Sequence, residues 1–177
     1  MQPLSCPIPS NINPLQSNGF MFSVNKLPEI SFFCQEVNVP AITLPSADVE
    51  SPLIVSPMPG EKMSFNDLTV TFMIDEEMTN YVAIYNWIVG LGFQESHAQY
   101  RELMAQRIGA LAVNELMAGY SDGSLTILNS ANNAIRTVRF VDMFPTSLSS
   151  IQLQSTTTDT MYLAGVVDFK YTYYYFD

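Results

Sequence analysis

The chain has 177 residues, 47% of them hydrophobic and only 14% charged, with 17 acidic against 7 basic side chains and a formal net charge of -10. One domain of this length buries a sizeable core, but a charge content well below the usual quarter leaves a charge-poor surface, as in a protein that loses much of its surface to an assembly. The acidic balance excludes a conventional nucleic-acid binder, which needs Lys and Arg against phosphate, while two cysteines at no metal or redox spacing and a single histidine argue against a metal centre.

Residues 1–17 carry Pro3, Pro7, Pro9 and Pro14 among Ser, Asn and Gln, which predicts an extended arm. The segment has neither the basic start nor the apolar run of a signal peptide. After the Asn18-Gly19 turn, Phe20, Phe22 and Val24 alternate with Met21, Ser23 and Asn25, giving a first strand. A break at 26–29 leads to a second strand over 30–39, expected to form a hairpin with the first. Its inward set is either Phe33, Gln35 and Val37 or Phe32, Cys34 and Glu36. From 40 to 60 the text changes: Pro40, Pro45, Pro52, Pro57 and Pro59 punctuate short apolar pieces, among them Leu53, Ile54 and Val55. Prolines exclude a central strand here. The segment is either a loop over the domain's own core or an arm laid across a neighbouring subunit.

The stretch from 60 to 93 organises the rest. Leu68, Val70, Phe72 and Ile74 alternate with Asp67, Thr69, Thr71 and Met73, a strand with one fully apolar face. Asp75 precedes a helical pattern and is placed to accept bonds from its first free amides, and Glu76 and Glu77 suit the positive end of the helix dipole. The helix puts Met78, Tyr81, Val82, Tyr85, Ile88 and Val89 on one face and Ile84, Trp87, Ile88 and Leu91 on a second. Two apolar faces need two covers: a sheet of the same domain for one, a neighbouring subunit for the other. The near-apolar run at 81–91 is too short to span a bilayer, so no membrane anchor is expected.

A second helix is predicted from a capping box at Ser96 and Gln99 to about Met117. A turn at Ser121-Asp122-Gly123 follows, then strands over 125–128 and 134–141 joined by the turn-rich loop 129–133. Phe144-Pro145 is expected to end the second of these. A long closing strand over 161–176 places Leu163, Val167, Phe169, Tyr171 and Tyr173 on one side and Val166, Asp168, Lys170, Thr172 and Tyr174 on the other. Six or seven strands and two helices, segregated rather than alternating, predict an α+β fold: an antiparallel sheet system with helices at one side.

Chemistry finds little purchase. His97 has no nucleophile elbow beside it. Glu76 and Glu77 point about 100° apart on a helix and do not converge as an acid/base pair. The turn at Asp122 lacks the further ligands of a calcium loop. The tyrosines of 171–176 have no basic groove beside them for stacking bases. No catalytic residue, metal or cofactor is implied, and the chain reads as a non-enzyme.

Three motifs carry a resemblance. Residues 65–76, FNDLTVTFMIDE, lead into a helix bearing Trp87; residues 140–148 read FVDMFPTSL; residues 166–171 read VVDFKY; and Asn18-Gly19-Phe20-Met21-Phe22 fits an opening strand. Across 18–177 the chain resembles the tail tube protein family of contractile-tailed, T4-like bacteriophages, including baseplate tube initiators. Residues 94–133 depart from the compact pattern and look like an insertion. The resemblance implies an antiparallel β-barrel or sandwich with one flanking helix and a second helical insertion. It implies a structural virion protein whose hexameric rings stack into a hollow tube that passes DNA without binding it, with sheath and baseplate proteins as partners. Such a protein is located in the virion tail and assembled in the host cytoplasm. A carboxylate-lined lumen repels phosphate, which makes Asp67, Asp142 and Asp168 lumen-facing candidates, a solvated outer face being the alternative for each. Leu53, Ile54, Val55, Ile84, Trp87 and Leu91 are the inter-subunit contact candidates. The other readings are a baseplate initiator or tail terminator ring, the inner tube of a bacterial contractile injection or secretion system, and a monomeric module whose aromatic strand binds a ligand such as a glycan.

Overall fold

A computed structural model describes residues 12–50, 52–92, 98, 119–155 and 162–177. The chain runs β1 (Phe20–Val24), α1 (Pro28–Phe33), β2 (Cys34–Val37), β3 (Ile42–Thr43), β4 (Ser46–Glu50), β5 (Val55–Pro59), β6 (Ser64–Phe65), β7 (Leu68–Met73), α2 (Thr79–Gly92), β8 (Ser121–Leu128), β9 (Ala134–Leu148), β10 (Ala164–Lys170) and β11 (Tyr173–Phe176). Seven strands form one antiparallel sheet in the order β1-β8-β9-β10-β7-β2, with β11 also paired to β9. The fold is mostly antiparallel sheet, with one long helix among the described residues.

Strand β9 holds the sheet together. Its first part pairs with β8 and β11, and its last part, beyond a left-handed residue at Asp142 (φ 54°), pairs with β10. One face of the sheet is the core. Phe22, Val24, Leu68, Val70, Phe72, Leu125, Val138, Phe140, Met143, Val167 and Phe169 meet there, covered by Leu27 and Ile30 beside and within α1 and by Ile84 and Trp87 of α2. Each of the larger side chains, fully buried, contributes about 1.5–3 kcal/mol. The period-two patterns of β1 and β7 are therefore the core face, and Thr69 and Thr71 lie on the other side.

Asp75 starts α2. Its carboxylate accepts from the amides of Thr79 and Asn80, both at 3.1 Å. The buried Asn80 side chain in turn donates to the carbonyl of Met73 at 2.8 Å, tying the helix start to the end of β7. Glu76 and Glu77 form a turn ahead of the helix, not its first turn.

The structure corrects several expectations. The first two strands are not a hairpin: β1 pairs with β8 and β2 with β7, at opposite edges of the sheet. Between them 28–33 is helical, entered by Pro28, whose fixed φ and missing N–H suit a first helical position. A bulge at Cys34/Glu36 means that neither alternating set holds in β2. Ser121-Asp122-Gly123 is strand, not turn. A Cβ at Gly123 would collide with the Met143 sulfur, so this glycine marks a close approach inside a sheet. Strand β9 continues through Pro145, which the sheet accommodates where the β10 register shifts at Asp168/Phe169. The closing strand is interrupted at Tyr171-Thr172, which divides it into β10 and β11. The 40–60 segment, expected to be too broken for sheet, contains the β4–β5 hairpin. Residues 1–11, 51, 156–161 and, except for 98, the predicted second helix lie outside the described residues.

Candidate assembly surfaces

The Pro-rich segment forms an arm. The short β3–β6 ladder makes its root and the β4–β5 hairpin its length, in a register running from Ser46 opposite Pro59 to Glu50 opposite Val55. The Gly60 amide donates to the Pro45 carbonyl at 2.7 Å and closes the hairpin base. Every residue of β4 and β5 is exposed, so the arm does not cover the core of its own domain. It nonetheless carries large apolar side chains: Val49, Val55 and Met58 along its length, with Leu53 97% and Ile54 70% exposed near its tip. Contiguous exposed apolar surface of this kind is uncommon on a monomeric protein. Pro57 and Pro59 lie in β5, and the hairpin gives both of its strands a free edge, where proline is tolerated.

The long helix offers a second surface, on a different face from the one expected. Ile84 is 0% and Trp87 2% exposed. Both belong to the core of their own chain, Trp87 lying 6.1 Å from the Phe169 ring and donating its Nε1–H to the Gly119 carbonyl at 2.9 Å. Leu91 is half-buried and packs against the same core. Ile84 and Trp87 are thus not free for a neighbouring subunit. The helix turns this stripe to the sheet because an indole fills the space over Phe169 and finds a carbonyl partner there. The face left open carries Val82 and Tyr85, three residues apart on one side of the helix, with the exposed Met78 just ahead of it.

The acidic candidates separate into two places. Asp168 lies on the non-core face of β10, where it accepts from Ser147 Oγ at 2.6 Å and Thr69 Oγ1 at 2.7 Å. These bonds, Ser147's first, hold its carboxyl below the usual carboxylate range. Asp67 is nearby, 4.0 Å from Lys170 Nζ. Asp142 lies apart at the β9 bend, its amide donating to Asp122 Oδ1 at 3.3 Å. Sequence reading missed the hydroxyl ring around Asp168, because the alternation of Thr69 and Thr71 does not reveal which strands lie beside β7. Among the described residues no group of His, Cys, Asp and Glu is placed to hold a metal ion, and no helix is long and apolar enough to cross a membrane.

The mostly antiparallel sheet with one long helix agrees with what comparison finds. The chain belongs to the phage tail tube protein family, whose model matches residues 4–177. Membership makes it a structural tail protein rather than an enzyme. It is 24% identical over 169 residues to the tail tube terminator protein of Enterobacteria phage T4, which covers 92% of this chain and 88% of the relative. The tube-terminating cap of the anti-feeding prophage superposes with a TM-score of 0.64 at 13% identity, covering 99% of each chain. A chain of the sheath–tube complex of an extracellular contractile injection system superposes with a TM-score of 0.57 at 15% identity, covering 93% of this chain and 91% of the other. At such identities the likeness to the two structures speaks for the fold.

Proposed function

We propose that this protein is a tail tube terminator, a ring-forming subunit that binds the end of a completed tail tube. The observation that carries this reading is the nearly end-to-end match to a terminator protein, rather than to a shared central motif. In this reading the sheet curls into a barrel-like body, six bodies form a ring, and the exposed arm reaches the adjoining ring. Leu53, Ile54 and Val55 make that contact, and Met78, Val82 and Tyr85 lie against a neighbour. Asp67 and Asp168, on one side of the sheet, are the carboxylates best placed to line a channel through which DNA passes without being held. Sheath and baseplate proteins are the further partners, the virion tail is the location, and assembly takes place in the host cytoplasm.

The second reading is the main tube subunit, favoured by the family description itself and by the likeness to a chain of the sheath–tube complex. One experiment separates the two. Purified protein is examined alone and after mixing with tubes assembled from the matching tube subunit, by negative-stain electron microscopy. A terminator gives rings alone, extra density at tube ends, and tubes that stop growing. Long tubes formed by this protein alone overturn the terminator reading in favour of the tube subunit.

A further inference from the structure

We propose that Tyr171 and Tyr174 are positioning residues: they clamp both roots of the arm to the body and fix its direction before any partner is met. The arm leaves the body at Pro40 and returns at Asn66, and the Asn66 amide donates to the Ala41 carbonyl at 3.0 Å across the root. The Tyr174 hydroxyl donates to the Pro40 carbonyl at 3.0 Å, and the Tyr171 hydroxyl to the Asn66 carbonyl at 2.8 Å. One tyrosine therefore holds the outgoing strand and the other holds the returning one. Between them lies Phe65 of β6, with ring centroids 6.0 Å from Tyr171 and 5.6 Å from Tyr174. Beneath them lies Phe140, fully buried in β9, 5.2 Å from Tyr171 and 5.7 Å from Tyr174. The root is thus tied to the core through a cluster of tilted and edge-to-face rings.

A break in the strand makes this arrangement possible. In a regular strand residues three apart point to opposite faces, and uninterrupted alternation places Tyr171 with Tyr173 and against Tyr174. The interruption at Tyr171-Thr172 shifts the phase, so Tyr171 and Tyr174 converge on the same two phenylalanines. Tyr173 instead lies beside Tyr175, at 6.3 Å. Burial, together with Tyr174 and Asp67 nearby, pushes the Tyr171 hydroxyl up to about 12, so it stays a donor throughout the ordinary pH range. Beyond this root every strand residue of the hairpin is exposed. The clamp is then the point at which the arm's angle is set, and a preset angle reduces the ordering that docking requires.

The value of a preset angle for capping rests on the terminator reading, but the clamp itself is tested without it. Spin labels are placed at Leu53→Cys on the arm and Ala131→Cys on the body, in a Cys6→Ser, Cys34→Ala background, and the distance distribution is measured by pulsed electron paramagnetic resonance on the isolated protein. Tyr171→Phe/Tyr174→Phe keeps the rings and removes only the two hydroxyls. It is expected to broaden the distribution by roughly twofold or more while the melting transition stays cooperative. Tyr173→Phe, whose ring faces elsewhere, is expected to leave the distribution unchanged. A double variant as narrow as wild type overturns the clamp. In the tube-end assay the double variant is expected to bind roughly three- to tenfold more weakly, the loss of one or two net hydrogen bonds' worth of preorganisation. Equal affinity with a broadened distribution overturns the positioning role. If the wild type binds no tube end, the terminator reading falls, and the clamp stands or falls on the distances.

Discussion

The body and the arm of this protein handle apolar side chains in opposite ways. In the body the core strands hide one face: Leu68, Val70 and Phe72 of β7 are fully buried while their neighbours are not. In the arm neither strand buries a residue, and Val49, Leu53, Ile54, Val55 and Met58 stand in solvent. A two-stranded hairpin without a packed face is marginal by itself. The arm is tied to the body at its root, and in the proposed reading it is completed by the partner it meets. Apolar content along the sequence therefore has two outcomes, a buried core in one region and an exposed surface in the other.

The sharpest way to break this comparison is to truncate each region in turn. Trp87→Ala removes a buried indole and its bond to Gly119, and is expected to cost about 3–5 kcal/mol, read as a lower denaturation midpoint. Leu53→Asp/Ile54→Asp is expected to change stability by less than about 0.5 kcal/mol, yet to abolish ring or tube-end density in electron micrographs. A large stability loss from the tip pair means that the arm packs on its own body. Gly123→Ala is expected to cost about 1–3 kcal/mol, because the added methyl displaces Met143. Asp75→Ala removes the helix cap and is expected to lower the urea midpoint by less than Trp87→Ala does.

The smallest effect concerns pH. Asp75 is subject to desolvation, which acts upward, but the amides of Asn80 and Thr79 outweigh it and lower its pKa; Asp168 is lowered by Ser147 and Thr69. A carboxylate with a lowered folded pKa adds stability above its unfolded value, about 3.9, and loses it as pH falls through the folded value. Stability is therefore expected to hold down to about pH 4 and to fall below it. Asp168→Asn should flatten that fall and lower the neutral plateau, measured by thermal melts from neutral pH downward.

How far the sequence could be read depended on whether a signal was local. The alternation in β1 and β7, the cap at Asp75 and the loop 129–133 are each set by neighbours in sequence, and each was legible. The partner of β1 was not, because antiparallel pairing with β8 joins residues about a hundred positions apart. Gly123 and Pro145 look like punctuation in the sequence, but in three dimensions one admits Met143 and the other coincides with a bulge. For α2 both apolar stripes were visible, but only the position of Phe169 decides that Trp87 turns inward. The convergence of Tyr171 and Tyr174 stayed hidden because it depends on a strand break that period-two reading does not anticipate.

The two prolines of β5 have a consequence for the protein before it assembles. An open hairpin edge invites another strand to zip onto it, and a newly made subunit meets many copies of itself. Pro57 and Pro59 have no amide hydrogens, so the β5 edge lacks donors at alternate positions. Crowded copies are thereby discouraged from joining arm to arm along this edge in open-ended ribbons.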